Sequence, residues 1–221
     1  MIFDILSKIS WYLLFITAFI FFVFRNKLGS RLLIYFSYYL IYISLGEIVA
    51  KLITLSPIKY NLWWYNIMLN GQYFFYFYLY YHLIKHAKVK KIFKALYIGY
   101  IFYFVLNYLV FFKGWNVYQS FPFTFGNVVI ILSVFWFLIE LFQTEEILNL
   151  NKSLIFWISL GVLFHFILYT PTEVVATYYF NLNINEQFII KIISLILYFS
   201  NISMYFFFLF GLWKTKLSKS S

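Results

Sequence analysis

Residues 125–142 read FGNVVIILSVFWFLIELF, with Glu140 the one ionisable group and no alternation of apolar with polar positions. A half-buried strand would alternate every second residue, and an amphipathic helix would carry a wet face. This run fits a helix inside a bilayer, where roughly 20 apolar residues cross a hydrocarbon core of about 30 Å. Six further stretches read the same way: 5–24, 32–54, 62–84, 95–112, 154–178 and 187–213.

The connectors between these stretches, read as about seven to twelve residues long, are too short to hold a soluble domain, and they force neighbouring helices antiparallel. The expected fold is all-α, a polytopic membrane protein with a bundle of seven transmembrane helices. No linker, charge block or repeat divides it, so residues 1–221 read as a single seven-helix domain. Composition agrees: of 221 residues, 64% are hydrophobic and 11% charged. A soluble domain carries about a quarter charged residues. Continuous runs also argue against the alternating strands of a membrane barrel.

Orientation follows from the connectors, because Lys and Arg stay on the cytoplasmic side. Arg25, Lys27, Arg31, Lys85, Lys88, Lys90, Lys91, Lys94, Lys152, Lys214, Lys216 and Lys219 fall on one side. Lys8, Lys59 and Lys113 fall on the other, with Lys51 and Lys191 near helix ends there. The expectation is N-out, C-in, in the inner (plasma) membrane of a bacterium. The net charge of +10 is then loop charge facing anionic lipid headgroups. It is not a soluble basic patch of the kind that binds nucleic acid. Trp63, Trp64, Trp115 and Trp213 sit near span ends, as interfacial aromatics do. The first span lacks a small-residue cleavage site and reads as a retained helix.

Polar residues inside the spans carry the functional information, since an ionisable group in hydrocarbon costs roughly 2.5–3.5 kcal/mol on insertion scales. In span 2, Ser37, Ser44, Glu47 and Lys51 share a face. Glu47 is open to two readings, an i,i+4 ion pair with Lys51 or a carboxylate lining an outward pocket. In span 7, Lys191, Ser194, Tyr198, Asn201 and Tyr205 recur every three or four residues and form one polar stripe. That stripe is either hydrogen-bond glue between helices or a ligand path. Span 6 holds His165, Thr170, Pro171 and Glu173; Pro171 frees the Ile167 carbonyl, so a kink is expected. Allowing for chain direction, Glu47, Asn66, Asn107, Asn127, Glu173 and Lys191 share the outer half, with Asn70, His165 and Asn201 just below. This shared depth predicts an outward-opening polar cavity. Its expected ligand-binding residues are Glu47, Asn70, His165, Glu173, Lys191 and Asn201.

Catalytic signatures do not emerge, and no catalytic residue, cofactor or metal is expected. With no cysteine there is no disulfide or thiolate chemistry. His82 and His86 have i,i+4 spacing, but Leu83 follows His82, so the zinc-protease Glu is absent and the pair reads as interfacial. A retinal protein would want a lysine midway along span 7, where Ser200 and Asn201 stand. The surplus of Phe, Tyr, Ile, Asn and Lys matches the codon bias of an AT-rich bacterial genome, which discounts the tyrosines as functional evidence.

Three segments resemble a group of small, uncharacterised seven-helix membrane proteins of Bacteroidota. They are Gly46-Glu47, Asn61-Leu62-Trp63-Trp64-Tyr65-Asn66 and Ser153-Leu154-Ile155-Phe156-Trp157-Ile158. The resemblance implies seven helices and a bacterial inner-membrane location, and it transfers no activity. The expected role is a sensor, receptor-like or accessory membrane module acting through a separate cytoplasmic partner. The alternative is a transporter of a small polar solute, and the layout allows an oligomer.

Overall fold

The computed structural model describes residues 2–56, 61–111, 119–144, 150–181 and 187–219. Among them, seven α-helices follow one another: α1 (Ile2–Val23), α2 (Arg31–Leu55), α3 (Leu62–Leu83), α4 (Ala87–Leu106), α5 (Ser120–Phe142), α6 (Leu154–Asn181) and α7 (Gln187–Lys219). Six of them are long and apolar enough to cross a membrane. The exception is α3. Its 22 residues give it spanning length, but Asn66, Asn70, Gln72, His82 and its tyrosines lower its hydropathy. It buries Asn66, Asn70, Tyr73, Tyr76 and Tyr80 against protein, so the polar content that disqualifies it by hydropathy belongs to its packing.

Local chemistry sets the helix ends. A 3₁₀ turn (Arg25–Lys27) follows α1, and Gly29 then adopts φ 76°, a left-handed conformation open to glycine. Ser30 caps α2, its hydroxyl accepting from the Leu33 N–H at 3.2 Å. The starts of α4 and α5 lie five or more residues before the apolar runs suggest. α4 begins at Ala87 and not near 95, so the α3–α4 connector is only residues 84–86 and Lys88, Lys90, Lys91 and Lys94 are helical. Lysine is a good helix former whose stem covers apolar surface while its amine reaches water. α5 begins at Ser120 with Pro122 in its first turn, where a missing N–H costs no helical bond. Lys59, Lys113, Trp115 and most of the 114–122 connector lie outside the described residues, as do the side chains of Lys216 and Lys219.

The chain forms two compact units, Ala18–Ile130 and Met1–Thr17 with Ile131–Ser221, whose boundaries fall inside α1 and α5. The first unit has an aromatic core. Tyr73 lies 5.2 Å from Tyr100 and 5.5 Å from Phe123 between ring centroids, and all three are buried. In the second unit α6 and α7 approach closely. A Cβ added at Gly161 would stand 3.0 Å from the Met204 carbonyl oxygen, and one at Gly211 would overlap the Trp157 Cβ. Small residues let helix backbones come together in this way, with dispersion replacing the hydrophobic effect inside lipid.

Candidate functional site

Glu47 sits half-buried on α2, eight residues before the helix ends at Leu55. Its carboxylate accepts from the Tyr65 hydroxyl of α3 at 3.4 Å. One residue earlier on each helix, the Trp64 indole N–H donates to the Gly46 carbonyl at 2.8 Å. A Cβ at Gly46 would overlap the Met68 sulfur, so glycine permits the approach. Further along the pair, Tyr42 donates to the Met68 carbonyl at 3.2 Å and Asn61 to Thr54 Oγ1 at 3.0 Å. The Gly46-Glu47 and Asn61–Asn66 segments are therefore the two halves of one helix contact. Lys51, one turn beyond Glu47, is exposed.

Elsewhere in this unit, the amides are tied to tyrosines and to one another. Tyr100 donates to Asn70 Oδ1 at 2.9 Å, and Asn70 Nδ2 donates to the Asn66 carbonyl at 2.6 Å. Tyr73 donates to Asn127 Oδ1 at 2.6 Å. After Leu106, α4 widens into a π-helical turn over Asn107–Phe111, and the Asn107 amide donates to the Gln119 side-chain carbonyl. The Gln119 backbone N–H in turn donates to Asn66 Oδ1 at 3.4 Å. Gln119 thus pins the start of α5 to both α3 and α4. Asn66, Asn70, Asn107, Gln119 and Asn127 are all buried, and in a low-dielectric interior such a joined set specifies one packing of the helices.

His165 and Ser200 meet in the other unit. The imidazole Nδ1 lies 3.3 Å from Ser200 Oγ, and that hydroxyl also donates to the Leu197 carbonyl at 2.9 Å. Tyr169 stacks on the imidazole at 5.3 Å. α6 runs unbroken through Pro171. Hydroxyls on both sides take up carbonyls there: Thr170 bonds Phe166 O at 2.6 Å, and Thr172 bonds Leu168 O and Tyr169 O at 2.9 and 2.7 Å. Glu173, two residues on, is 6% exposed.

Along α7, Lys191 is exposed, Ser194, Tyr198 and Asn201 are half-buried, and Tyr205 is buried. Helical geometry puts Ser194, Tyr198 and Asn201 on the face that holds Tyr205, Phe208 and Leu212, 6%, 0% and 5% exposed. Phe199 and Phe206, on the opposite face, are 54% and 60% exposed. The stripe therefore lies on the packed side of the helix, open along its first half and sealed from Tyr205 onward.

Of the six residues expected to bind ligand, Glu47 and Asn70 belong to the Ala18–Ile130 unit, and His165, Glu173, Lys191 and Asn201 to the other. Asn70 is joined to Tyr100, Glu47 to Tyr65 and His165 to Ser200. Lys191 stands at the exposed start of the α7 stripe. Tyr65, Tyr73, Tyr100, Gln119 and Ser200 carry no sequence signal as site residues; compositional bias discounts the tyrosines, yet they are the donors to Glu47, Asn127 and Asn70. At the other end of α3, His82 Nδ1 lies 2.9 Å from the Tyr78 carbonyl, while His86 precedes α4. No family model, curated protein or solved structure matches this chain, so the site rests on its own residues alone.

Proposed function

We propose that this chain is a small sensor-like or accessory module of a bacterial inner membrane, with its N-terminus outside and its C-terminus in the cytoplasm. A ligand or membrane signal is read at the outer half, and a separate cytoplasmic protein receives the output. One observation supports this reading: in each unit some polar side chains stay half-buried while others are closed off within the packing. In the Ala18–Ile130 unit, Glu47 remains half-buried, whereas Asn70, Asn107 and Asn127 hold hydrogen bonds from or to Tyr100, Gln119 and Tyr73. In the other unit the α7 stripe ends at buried Tyr205 and Phe208. Conduction needs a polar path that continues through, whereas a receptor needs only a rim and a rigid floor.

At the cytoplasmic end, Lys85, Lys88, Lys91 and Lys94 are exposed around the short α3–α4 connector. Their charge suits anionic headgroups, each lysine near such a surface contributing about 1 kcal/mol, and an acidic partner surface. The half-buried stripe of Ser194, Tyr198 and Asn201 favours the alternative, a transporter for a small polar solute, in which Tyr205 and Phe208 would form a gate. Two measurements on reconstituted and cellular protein decide between them. Proteoliposomes should move no solute from a broad panel, and a photo-crosslinker at position 85 should trap one defined cytoplasmic protein, with a yield altered by Glu47→Gln. Solute uptake abolished by Glu47→Gln would overturn the sensor reading.

A further inference from the structure

We propose that the Glu47 carboxylate, with Tyr65 and Trp64 beside it, receives an alkylammonium group. This deepens the sensor reading and rests on it only for the consequence of binding. A carboxylate within a spanning helix is costly unless a cation meets it. Among the described residues Glu47 has no ion pair, and its hydrogen bond is the long one from Tyr65 at 3.4 Å. The contact that this carboxylate does make is to an aromatic residue, the Tyr65 phenol. Trp64 is anchored at the adjacent Gly46 carbonyl, and Trp63 packs edge-on against Trp64 at 5.9 Å. Glu47, Trp63, Trp64 and Tyr65 are each half-buried, so the group is both sheltered and reachable.

The donor set chooses the class of cation. Desolvated Na⁺ or Ca²⁺ asks for many oxygens, about six to eight for Ca²⁺. This site offers one carboxylate and one phenol, and the neighbouring Gly46 carbonyl already accepts from Trp64. An alkylammonium asks for less. Its N–H groups pair with the carboxylate, while its carbon substituents and spread charge rest on aromatic faces. The same chemistry occurs in a soluble amine and in the ethanolamine headgroup of a lipid, and the position of Glu47 two turns inside the end of α2 is within reach of both.

The test compares the two sources directly. Purified protein in phosphatidylglycerol nanodiscs is titrated with ethanolamine hydrochloride against sodium chloride of equal ionic strength, and melting is followed. A parallel set of nanodiscs contains phosphatidylethanolamine. A saturable rise in Tm with soluble ethanolamine, or a raised Tm already present with the lipid, supports the site if Glu47→Gln removes it. The first outcome assigns a soluble amine and the second a headgroup. Glu47→Asp and Tyr65→Phe, which keep the charge or the ring, should weaken binding about tenfold, a change of 1.4 kcal/mol. Lys51→Ala should bind at least as well, since an amine one helical turn from Glu47 is gone. An equal response in wild type and Glu47→Gln, or no response in either lipid, overturns the proposal. Binding is measured without any cytoplasmic protein, so its failure and a failure of the crosslinking experiment are separate results.

Discussion

Trp64 on α3 donates its indole N–H to the carbonyl oxygen of Gly46 on α2 at 2.8 Å, eighteen residues away in the chain. The side chain crosses to a backbone that is bare at that position, and Met68 fills the space a Cβ would occupy. The start of α6 works likewise. Trp157 packs against Gly211 on α7, and its indole donates to the Asn151 carbonyl at 3.1 Å. Both are tryptophan–glycine contacts between consecutive helices, so these segments serve helix pairing.

The two glycine contacts differ in what would have to move, and the difference is measurable. At Gly46 the nearest atoms are Sδ and Cγ of Met68, the free end of a flexible side chain. At Gly211 the nearest atom is the Trp157 Cβ, which cannot swing away without its backbone. Gly211→Ala should therefore destabilise by about 1–3 kcal/mol, the usual range for forced overpacking. Gly46→Ala should fall below that range. Denaturation of the purified variants in mixed micelles gives both values, and equal losses would mean that α6 and α7 are free to separate.

Asn70 and Tyr100 are both buried, and their bond at 2.9 Å joins α3 to α4. In membranes such interhelical bonds average about 0.6 kcal/mol and reach about 1.7 kcal/mol. A double-mutant cycle of Asn70→Ala and Tyr100→Phe should give a coupling in the upper part of that range, because Asn70 also bonds Asn66 and belongs to a longer set. Coupling near zero would show that the bond holds nothing together. Neither change should alter ethanolamine binding at Glu47, whose recorded partner is Tyr65.

The seven helices were legible because each apolar run is continuous, and a bilayer leaves a continuous run no alternative but a helix. Their ends were less so. The lysines before α4 look like loop but propagate a helix, and Pro122 looks like a breaker but occupies a first turn. The depth of the asparagines could be read by counting along each span. Their partners could not, since Tyr100 lies 30 residues from Asn70 and Tyr73 lies 54 from Asn127. A chain with 22 tyrosines offers many equivalent donors, and only packing selects among them.

Ser200 Oγ reaches two acceptor positions at once. Its hydroxyl has one proton, and the Leu197 carbonyl at 2.9 Å is closer than His165 Nδ1 at 3.3 Å. With that proton on the carbonyl, the imidazole donates through Nδ1–H to the Ser200 oxygen. Nitrogen NMR of labelled protein in lipid should show a protonated Nδ1 on this histidine, and Ser200→Ala should redistribute the proton toward Nε2. A spectrum already dominated by the Nε2–H form in the wild type would mean that the Ser200 contact does not orient the ring.

The α7 stripe makes a prediction about access that also tests orientation. The chain contains no cysteine, so single cysteines can be placed without removing any native one. Lys191 is exposed, Ser194, Tyr198 and Asn201 are half-buried, and Tyr205 and Phe208 are closed. A charged, membrane-impermeant thiol reagent added outside intact cells should label Lys191→Cys fastest and then Ser194→Cys, Tyr198→Cys and Asn201→Cys more slowly. It should leave Tyr205→Cys and Phe208→Cys unmodified. Phe199→Cys is the control, because it is as open as the stripe but lies on the opposite face, where lipid excludes a charged reagent. Labelling of Phe199→Cys as fast as Asn201→Cys would mean that the crevice is absent and the exposed face is wet. Labelling of the stripe only from the cytoplasmic side would reverse the orientation, and with it the side from which a ligand reaches Asn201.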